Sequence, residues 1–261
     1  MQKVLCIFIL AAMMIGCSPS KEKIKQVIRE NPDLVFGAIT EDPERFVEVV
    51  NQAVQTQQMK ARERENQKVL TDIETDFSSP RKPIIDESRI VFGSVSAPIT
   101  IVEYGDLQCP ACQRGYYSLK EIKKKYGDKI RVIYKHMPLK FHELAFPAAQ
   151  YFEAIARQDK AKAQAFHDQI FESQREMKNI EFIRNTAKNL KVDWKKLEVD
   201  LKSLEVERRI SDDISEFTDF GFTGTPVYLI NGVALQGAYP ANEMAKIIER
   251  HLSKASPAQK K

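Results

Sequence analysis

Residues 99–112 read ITIVEYGDLQCPAC, in which an apolar, β-branched run leads into two cysteines. The run over 99–104 predicts a buried strand, and residues 110–125 predict a helix that has Leu119 and Ile122 on one face. A Cys-Pro-Ala-Cys sequence at the start of a helix places both sulfurs within one turn, close enough for a disulfide. The sequence therefore predicts a redox-active thiol pair where a strand passes into a helix.

The two cysteines differ in their position on this predicted helix. Cys109 lies at its N-terminus, where unpaired N–H groups and the positive end of the helix dipole favour a thiolate. Cys112 points back into the domain and can attack a mixed disulfide formed at Cys109. We therefore predict that Cys109 is the nucleophile and that Cys112 is the resolving thiol.

Two structural alternatives compete with this redox interpretation. A zinc site would need a second pair of ligands, and the four histidines are scattered without paired metal spacing: His136, His142, His167 and His251. A permanent disulfide between these two cysteines would close only a very short loop and remove little entropy from the unfolded chain. The redox interpretation is the one that we favour.

Strand and helix signals alternate over residues 89–253. The elements predicted after the first helix are a strand (129–136), a helical block (about 141–220), two strands (227–230 and 233–236) and a last helix (about 240–252). Asn231-Gly232 between the two short strands indicates a hairpin turn. This order predicts an α/β sheet with a helical insertion.

Two separated motifs resemble the thioredoxin superfamily. Residues 103–112 (EYGDLQCPAC) resemble its active-site segment, and residues 224–232 (GTPVYLING) resemble its cis-proline loop and following strand. The helical insertion, with HMPL at 136–139 before it, resembles the DsbA-like branch. The resemblance covers roughly residues 89–253 and implies a thioredoxin-like fold and a thiol–disulfide oxidoreductase that needs no dissociable cofactor.

The resemblance also implies roles for three more residues. Glu103, six residues before Cys109, would be a buried acid that moves a proton on or off Cys112; the alternative is a strand-end carboxylate that faces solvent. Thr225 and Pro226 would form a cis peptide that faces Cys109, pairs with an extended substrate chain and keeps metal off the thiols. An ordinary trans proline at the start of an edge strand is the alternative.

One departure from the family pattern bears on the direction of electron flow. Pro-Ala stands between the cysteines, whereas the strongly oxidising relatives have Pro-His there. Without that histidine we expect a less acidic nucleophile and a weaker oxidant. Thr225 before the proline also resembles the isomerase and reductase members. We therefore favour an isomerase or reductase, with a DsbA-type dithiol oxidase as the alternative.

The N-terminus predicts export. Lys3 precedes an uncharged apolar run too short to span a bilayer, which is typical of a secretory signal peptide at residues 1–16. The run ends in residues 14–17 (MIGC), which resemble the lipobox of bacterial lipoproteins and predict acylation of Cys17. An ordinary cleaved signal with an incidental cysteine is the alternative. We expect a lipid-anchored protein of the cell envelope that faces the periplasm or another extracytoplasmic side, where disulfides persist.

Residues 17–83 predict a helical extension and a linker, followed by the thioredoxin-like domain at 84–261. The extension carries two apolar stripes separated by a polar run, namely Phe46, Val49, Val50, Ala53 and Val54, and then Val69, Leu70, Ile73 and Phe77. Such a helix cannot bury its apolar faces alone, so it packs on the main domain or pairs with copies of itself. We expect a dimer or trimer; a solvated spacer that lifts the domain off a membrane is the alternative.

Composition limits the function classes that remain. Hydrophobic residues make up 43% and charged residues 29% of the 261, which excludes a polytopic membrane protein and a wholly disordered chain. The net charge of +4 comes from lysines spread along the chain, so we expect no nucleic-acid partner. The expected partners are exported proteins with thiols or disulfides and a membrane redox partner that the sequence does not identify.

Two hypotheses of other classes stay open. The protein could bind a soft metal such as Cu(I) through its thiols or act as a chaperone through its helices. Alternatively, the N-terminal helices could be the main functional part, with the thioredoxin-like domain as a scaffold.

Overall fold

The computed structural model describes residues 20–255. The chain divides into two compact units, one that ends at Gln67 and one that begins at Lys68. The predicted signal peptide at 1–16 and the lipidation site Cys17 lie outside the described residues. From residue 20 to residue 255, no helix combines the length and the apolar character needed to cross a membrane.

The first unit is helical. It contains α1 (Lys21–Glu30), α2 (Asp33–Glu41) and most of α3 (Pro43–Ser78). The Ser20 hydroxyl accepts the N–H of Lys23 at 3.3 Å and thereby caps α1. None of residues 20–67 is buried, so the first apolar stripe of the sequence is exposed along its whole length.

A five-stranded sheet forms the centre of the second unit, in the order β1-β3-β2-β4-β5. The strands are β1 (Ile90–Phe92), β2 (Ile99–Gly105), β3 (Ile130–His136), β4 (Val227–Ile230) and β5 (Val233–Gln236). β2 and β3 are parallel, and the other pairings are antiparallel. The sequence predicts β2 to β5 to within one residue, but it does not predict β1, because three residues are too few to show a period of two.

Helices cover both faces of this sheet. They are α4 (Pro110–Tyr126), α5 (Ala145–Ala156), α6 (Lys160–Glu172), α7 (Ile180–Asn189), α8 (Trp194–Asp200), α9 (Leu204–Asp219) and α10 (Ala241–Ala255). The block from α5 to α9 is the helical insertion expected over about 141–220. Pro147 lies in the first turn of α5, where its missing N–H breaks no helical hydrogen bond. The predicted fold class, a thioredoxin-like α/β fold with a helical insertion and a helical region before it, is confirmed.

The hydrophobic core reaches the cysteines from the insertion side. One buried cluster contains Phe152, Phe166 and Ile210 of the insertion together with Leu107 and Cys112. Another lies between the sheet and the pair α4 and α10. The first of these clusters attaches the segment after β2 to the insertion.

The end of α3 belongs to the second unit. Ile73 and Phe77 pack against the cluster of the sheet, α4 and α10, and the Phe77 ring lies 4.8 Å from the ring of His251. The second apolar stripe therefore packs on its own domain, which is one of the two outcomes that the sequence leaves open. Leu70 of the same stripe remains exposed.

Residues 78–83, expected from sequence to be a linker before a domain that begins at 84, are attached to the second unit. The N–H of Arg81 donates to the carbonyl oxygen of Gly232 at 3.0 Å, and its guanidinium lies 4.9 Å from the centre of the Phe222 ring. The compact unit therefore begins sixteen residues earlier than the predicted boundary, at Lys68.

Candidate active site

The two cysteines lie where β2 passes into α4. Cys109 is the N-cap residue of α4, and Pro110 occupies the first helical position. Proline suits this position, because its missing N–H would have no partner there in any case. Both cysteines are free thiols and both are buried, with 6% of Cys109 and 0% of Cys112 exposed. The structure thus leaves Cys109 slightly exposed to solvent and Cys112 fully enclosed.

Hydrogen bonds stabilise the thiolate of Cys109. The hydrogen bond from the Cys112 thiol is the largest influence and lowers the pKa of Cys109 to about 5, although burial opposes it. The backbone N–H groups of Cys112 and Ala111 contribute to this low pKa; they are among the first N–H groups of α4, which lack helical partners. At neutral pH the Cys109 sulfur is therefore an anion.

The pKa of Cys112 is shifted in the opposite direction. Its burial, followed by its hydrogen bond to Cys109, raises the pKa of Cys112 well above its ordinary value. The backbone N–H of Asp106 donates to its sulfur at 3.4 Å. The pair consequently contains one ionised thiol near the surface and one protonated thiol beneath it.

The loop before β4 completes the surroundings of Cys109. The Thr225–Pro226 peptide bond is cis, and the Cys109 sulfur lies 3.8 Å from the carbonyl oxygen of Thr225. β4 pairs with β2 so that Val227 is opposite Tyr104. This register places the loop next to the end of β2, and so brings together residues more than 110 positions apart in the chain.

Glu103 lies inside the protein. Its side chain is 1% exposed and accepts a hydrogen bond from the Tyr228 hydroxyl at 3.3 Å. Burial raises the pKa of Glu103 to about 7, while the Lys123 charge and the Tyr228 hydrogen bond oppose the rise. The alternative of a carboxylate that faces solvent is therefore wrong.

A glycine on α4 permits this arrangement. A Cβ at Gly115 would lie 2.0 Å from the Tyr228 hydroxyl oxygen and 3.2 Å from Cγ of Pro226. No substituted residue fits there without moving Tyr228. Sequence reasoning missed Gly115, although a glycine inside a predicted helix is a recognised signal of close approach.

Asp106 anchors the segment between Glu103 and the cysteines, and sequence reasoning gave it no role. Its carboxylate is buried and accepts the N–H of Gln108 at 2.7 Å, the N–H of Leu139 at 2.9 Å and the Nδ1–H of His142 at 2.7 Å. The loop after β3 is thereby attached to the loop before α4.

Two glutamines add further attachments. The Gln174 side-chain amide, which is buried, donates to the carbonyl oxygens of Leu107 at 2.9 Å and Cys109 at 3.1 Å. The Gln108 side-chain oxygen accepts the N–H of Leu144 at 2.7 Å. No spacing in the sequence marks Gln174 as part of the site.

The histidines have different hydrogen-bond partners, although the rings of His136 and His167 both lie against the ring of Tyr134. His136 is hydrogen-bonded to Glu153 at 3.1 Å, His142 to Asp106, and His167 to Asp168 at 2.9 Å. Within residues 20–255, no group of three or more His, Cys, Asp or Glu side chains is arranged to hold a metal ion.

Comparison with known proteins places this site in a family. The family model described as Thioredoxin matches residues 86–250. Among curated proteins, the chain is 29% identical over 185 residues to the Na(+)/H(+) antiporter NhaA 1 of Mycolicibacterium vanbaalenii, in a match that covers 67% of this chain and 30% of that protein. The chain therefore spans less than a third of the length of that relative.

Solved structures with a similar fold include the thiol-disulfide exchange protein alpha-DsbA2 from Wolbachia pipientis, with a TM-score of 0.56 at 23% identity, over 61% of this chain and 84% of that chain. Oxidised BdbD from Bacillus subtilis superposes with a TM-score of 0.60 at 21% identity, over 67% of this chain and 97% of that chain. A linker-deletion variant of ScsC from Proteus mirabilis gives 0.55 at 22% identity, over 92% of this chain and 99% of that chain. Because the Thioredoxin model matches more than half of the chain and includes both cysteines and the loop at Pro226, the chain belongs to the thioredoxin family, with a DsbA-like fold.

Proposed function

We propose that the protein is a thiol–disulfide oxidoreductase of the cell envelope that acts on exported proteins, chiefly as a reductase or isomerase. The observation that carries this proposal is the unequal thiol pair. Cys109 has a pKa of about 5 and is ionised at neutral pH, whereas Cys112 is buried and protonated beside it. An ionised thiol beside a protonated one is the arrangement that two-step disulfide exchange needs.

In the first step, the Cys109 thiolate attacks one sulfur of a substrate disulfide. A bond forms between Cys109 and that sulfur, the substrate S–S bond breaks, and its electron pair leaves on the other sulfur, which takes a proton from water. A substrate chain that pairs with the backbone of Thr225 would bring its disulfide to Cys109, since the carbonyl oxygen of Thr225 lies 3.8 Å from the Cys109 sulfur.

In the second step, Cys112 gives up its proton and attacks the Cys109 sulfur. The Cys109–Cys112 bond forms, the bond from Cys109 to the attached substrate sulfur breaks, and that sulfur leaves with the electron pair, so that the substrate is reduced by two electrons and the protein pair is oxidised. We assign the proton of Cys112 to Glu103, a buried carboxyl whose pKa of about 7 lets it change charge at neutral pH. Isomerisation follows instead when another thiol of the substrate attacks the mixed disulfide first.

The reductase or isomerase direction rests on two sequence features, Pro110-Ala111 between the cysteines and Thr225 before Pro226, and the acidity of Cys109 favours neither direction. Nucleophile pKa values run from about 3.5 in DsbA to about 7 in thioredoxin. Cys109, with a pKa of about 5, lies between them. Equilibration with glutathione measures the reduction potential; a value near about −120 mV would make the protein an oxidant and overturn this direction.

Turnover tests the proposal itself. We expect the full chain to reduce insulin and to reactivate scrambled ribonuclease. Cys109→Ser should abolish both activities, while Cys112→Ser should accumulate mixed disulfides with the substrate. Turnover that survives in Cys109→Ser would contradict the assigned chemistry.

The location is a separate part of the proposal and rests on the lipobox-like residues 14–17. Cells supplied with a radioactive fatty acid should label the wild-type protein but not Cys17→Ala. Unlabelled wild-type protein free in solution outside the cytoplasm would overturn the lipid anchor and leave the thiol chemistry untouched.

A further inference from the structure

The backbone of Asp106 contacts both cysteines. Its N–H donates to the Cys112 sulfur at 3.4 Å, and its carbonyl oxygen accepts the N–H of Cys109 at 3.1 Å. The two contacts differ in chemistry. The first reaches a reacting sulfur, whereas the second reaches only the backbone of Cys109.

The side chain of Asp106 fixes the orientation of this backbone. Its carboxylate is 1% exposed and accepts from Gln108, Leu139 and His142, with the His142 contact at 2.7 Å. The donors of Leu139 and His142 come from the loop after β3, on a different segment of the chain. The amide of Asp106 is therefore held from outside its own loop.

The second step of exchange is where this amide matters. Cys112 must carry negative charge when it attacks, and its burial opposes that charge. A correctly aimed N–H stabilises a sulfur anion, and a hydrogen bond to a charged group is stronger than one to a neutral group. The N–H of Asp106 lowers the pKa of Cys112 and so counters part of the effect of burial.

We propose that Asp106, held by His142, is a positioning residue that aims its own backbone N–H at Cys112 and thereby speeds the resolution of the mixed disulfide. This inference rests on the proposed function, since it concerns the second step of that reaction. In that step the Cys112–Cys109 bond forms, the bond from Cys109 to the substrate sulfur breaks, and the electron pair leaves on that sulfur. The proton of Cys112 has already passed to a base, for which Glu103 is proposed above.

A positioning role differs measurably from a general structural role. The reduced full chain is mixed with oxidised glutathione, the reaction is stopped with acid at successive times, and mass spectrometry follows two species. Formation of the Cys109–glutathione adduct reports the first step, and its decay to the intramolecular disulfide reports the second. Loss of local order would slow both steps, whereas loss of the aimed N–H slows the second alone.

Asp106→Ala should slow the decay of the adduct about tenfold or more, because a hydrogen bond to a charged group is worth that factor. The rate at which the Cys109–glutathione adduct forms should change less than twofold. His142→Leu removes only the outer support, leaves Asp106 in place and should slow the decay by a smaller factor of about 2 to 10. His142→Asn keeps an N–H donor near the position of Nδ1 and should restore the wild-type rate.

Asp200→Ala is the matched control, because Asp200 is also buried and is paired with Arg157 at 2.9 Å, on α8 rather than beside the cysteines. It should leave the ratio of the two rates unchanged. Equal slowing of both steps in Asp106→Ala, or a wild-type decay in His142→Leu, would overturn the positioning role. A wild-type chain that forms no adduct would instead overturn the proposed function, so the two failures are distinguishable.

Discussion

The hydroxyl of Tyr228 lies 3.3 Å from Oε1 of Glu103, and the two residues are direct partners in the pairing of β4 with β2. Both side chains are buried. Their surroundings disfavour the charged carboxylate and, despite the opposing influence of Lys123 and Tyr228, raise the pKa of Glu103 to about 7. The protein thus contains an internal group that changes charge near neutral pH.

The free energy of unfolding should therefore depend on pH through Glu103. The folded chain keeps the proton up to about pH 7, whereas the unfolded chain releases it at its ordinary pKa of 4.5. The stabilisation from neutral Glu103 is complete below pH 4.5 and is lost as the pH rises through about 7. We expect Glu103→Gln to be more stable than wild type above that pH, by at most about 3 kcal/mol. Urea unfolding should show no such gain below pH 4.5.

Glu153 should respond in the opposite sense, although it is equally buried. Burial alone would raise its pKa, but the hydrogen bond with His136 and the charges of Arg89 and Arg209 lower it to about 2. This stabilisation is present above the ordinary pKa of 4.5 and is lost as the pH falls through about 2. We expect Glu153→Gln to lose at most about 3 kcal/mol at neutral pH, because it removes one carboxylate charge from Arg89 and Arg209, which keep Asp213 and Asp86 as partners. If Glu103→Gln and Glu153→Gln both raised, or both lowered, the free energy of unfolding above pH 7, the carboxylate charges would not be the cause of these effects.

Alkylation should report the thiolate of Cys109. The rate of its reaction with iodoacetamide should rise with pH around a midpoint of about 5, and Cys112 should remain unlabelled at that pH. Cys112→Ala removes the strongest stabilising hydrogen bond, so the midpoint should move towards the ordinary thiol value. Cys112→Ser keeps an O–H donor and should move it less. Labelling of Cys112 before Cys109 would reverse the assigned roles.

Gly115→Ala should disturb the site from the helix side. The new methyl carbon would lie 2.0 Å from the Tyr228 hydroxyl oxygen, and overpacking of this kind costs about 1 to 3 kcal/mol. Because Tyr228 must move, the hydrogen bond to Glu103 should also weaken. Gly224→Ala is the control, since nothing lies within 4 Å of its added carbon. Equal thermal stability of the two variants would contradict the crowding at Gly115.

The exposed stripe on α3 should mediate self-association. Phe46, Val49, Val50 and Val54 are between 40% and 56% exposed, and an apolar face of this kind usually has a partner. We propose that the partner is a second or third copy of this chain. Light scattering should give a dimer or trimer for the full chain and a monomer for residues 68–261, and Val50→Asp should dissociate the full chain. Monomers in both cases at micromolar concentration would leave the helices as a spacer.

Much of the fold near the cysteines could be predicted, because two kinds of local signal coincide there. A β-branched run and a helix-starting proline flank the loop from Asp106 to Cys109, and the Asn231-Gly232 turn fixes the hairpin of β4 and β5. Both signals act over a few residues, so they can be recognised in the sequence itself, and here they agree with the tertiary fold.

The supports of the site could not be predicted, because they act between distant segments. Gln174 reaches the carbonyl oxygens of Leu107 and Cys109 across 67 and 65 residues of chain. A polar residue of this type has no period or spacing that marks it. The different burial of the two apolar stripes of α3 could not be predicted either, because the stripes look alike in sequence. The second stripe packs on the domain through the contact of Phe77 with His251 of α10.

The hydrogen bonds from Gln174 to Leu107 and Cys109 also bear on when Cys109 becomes reactive. Translation delivers residue 109 well before residue 174, and domains generally fold as units once enough of the chain is present. During that interval Cys109 is a thiol like any other, with a pKa of about 8.5 and little reactivity. The chain therefore gains its reactive sulfur only when it folds with the insertion and the loop at Thr225 in place.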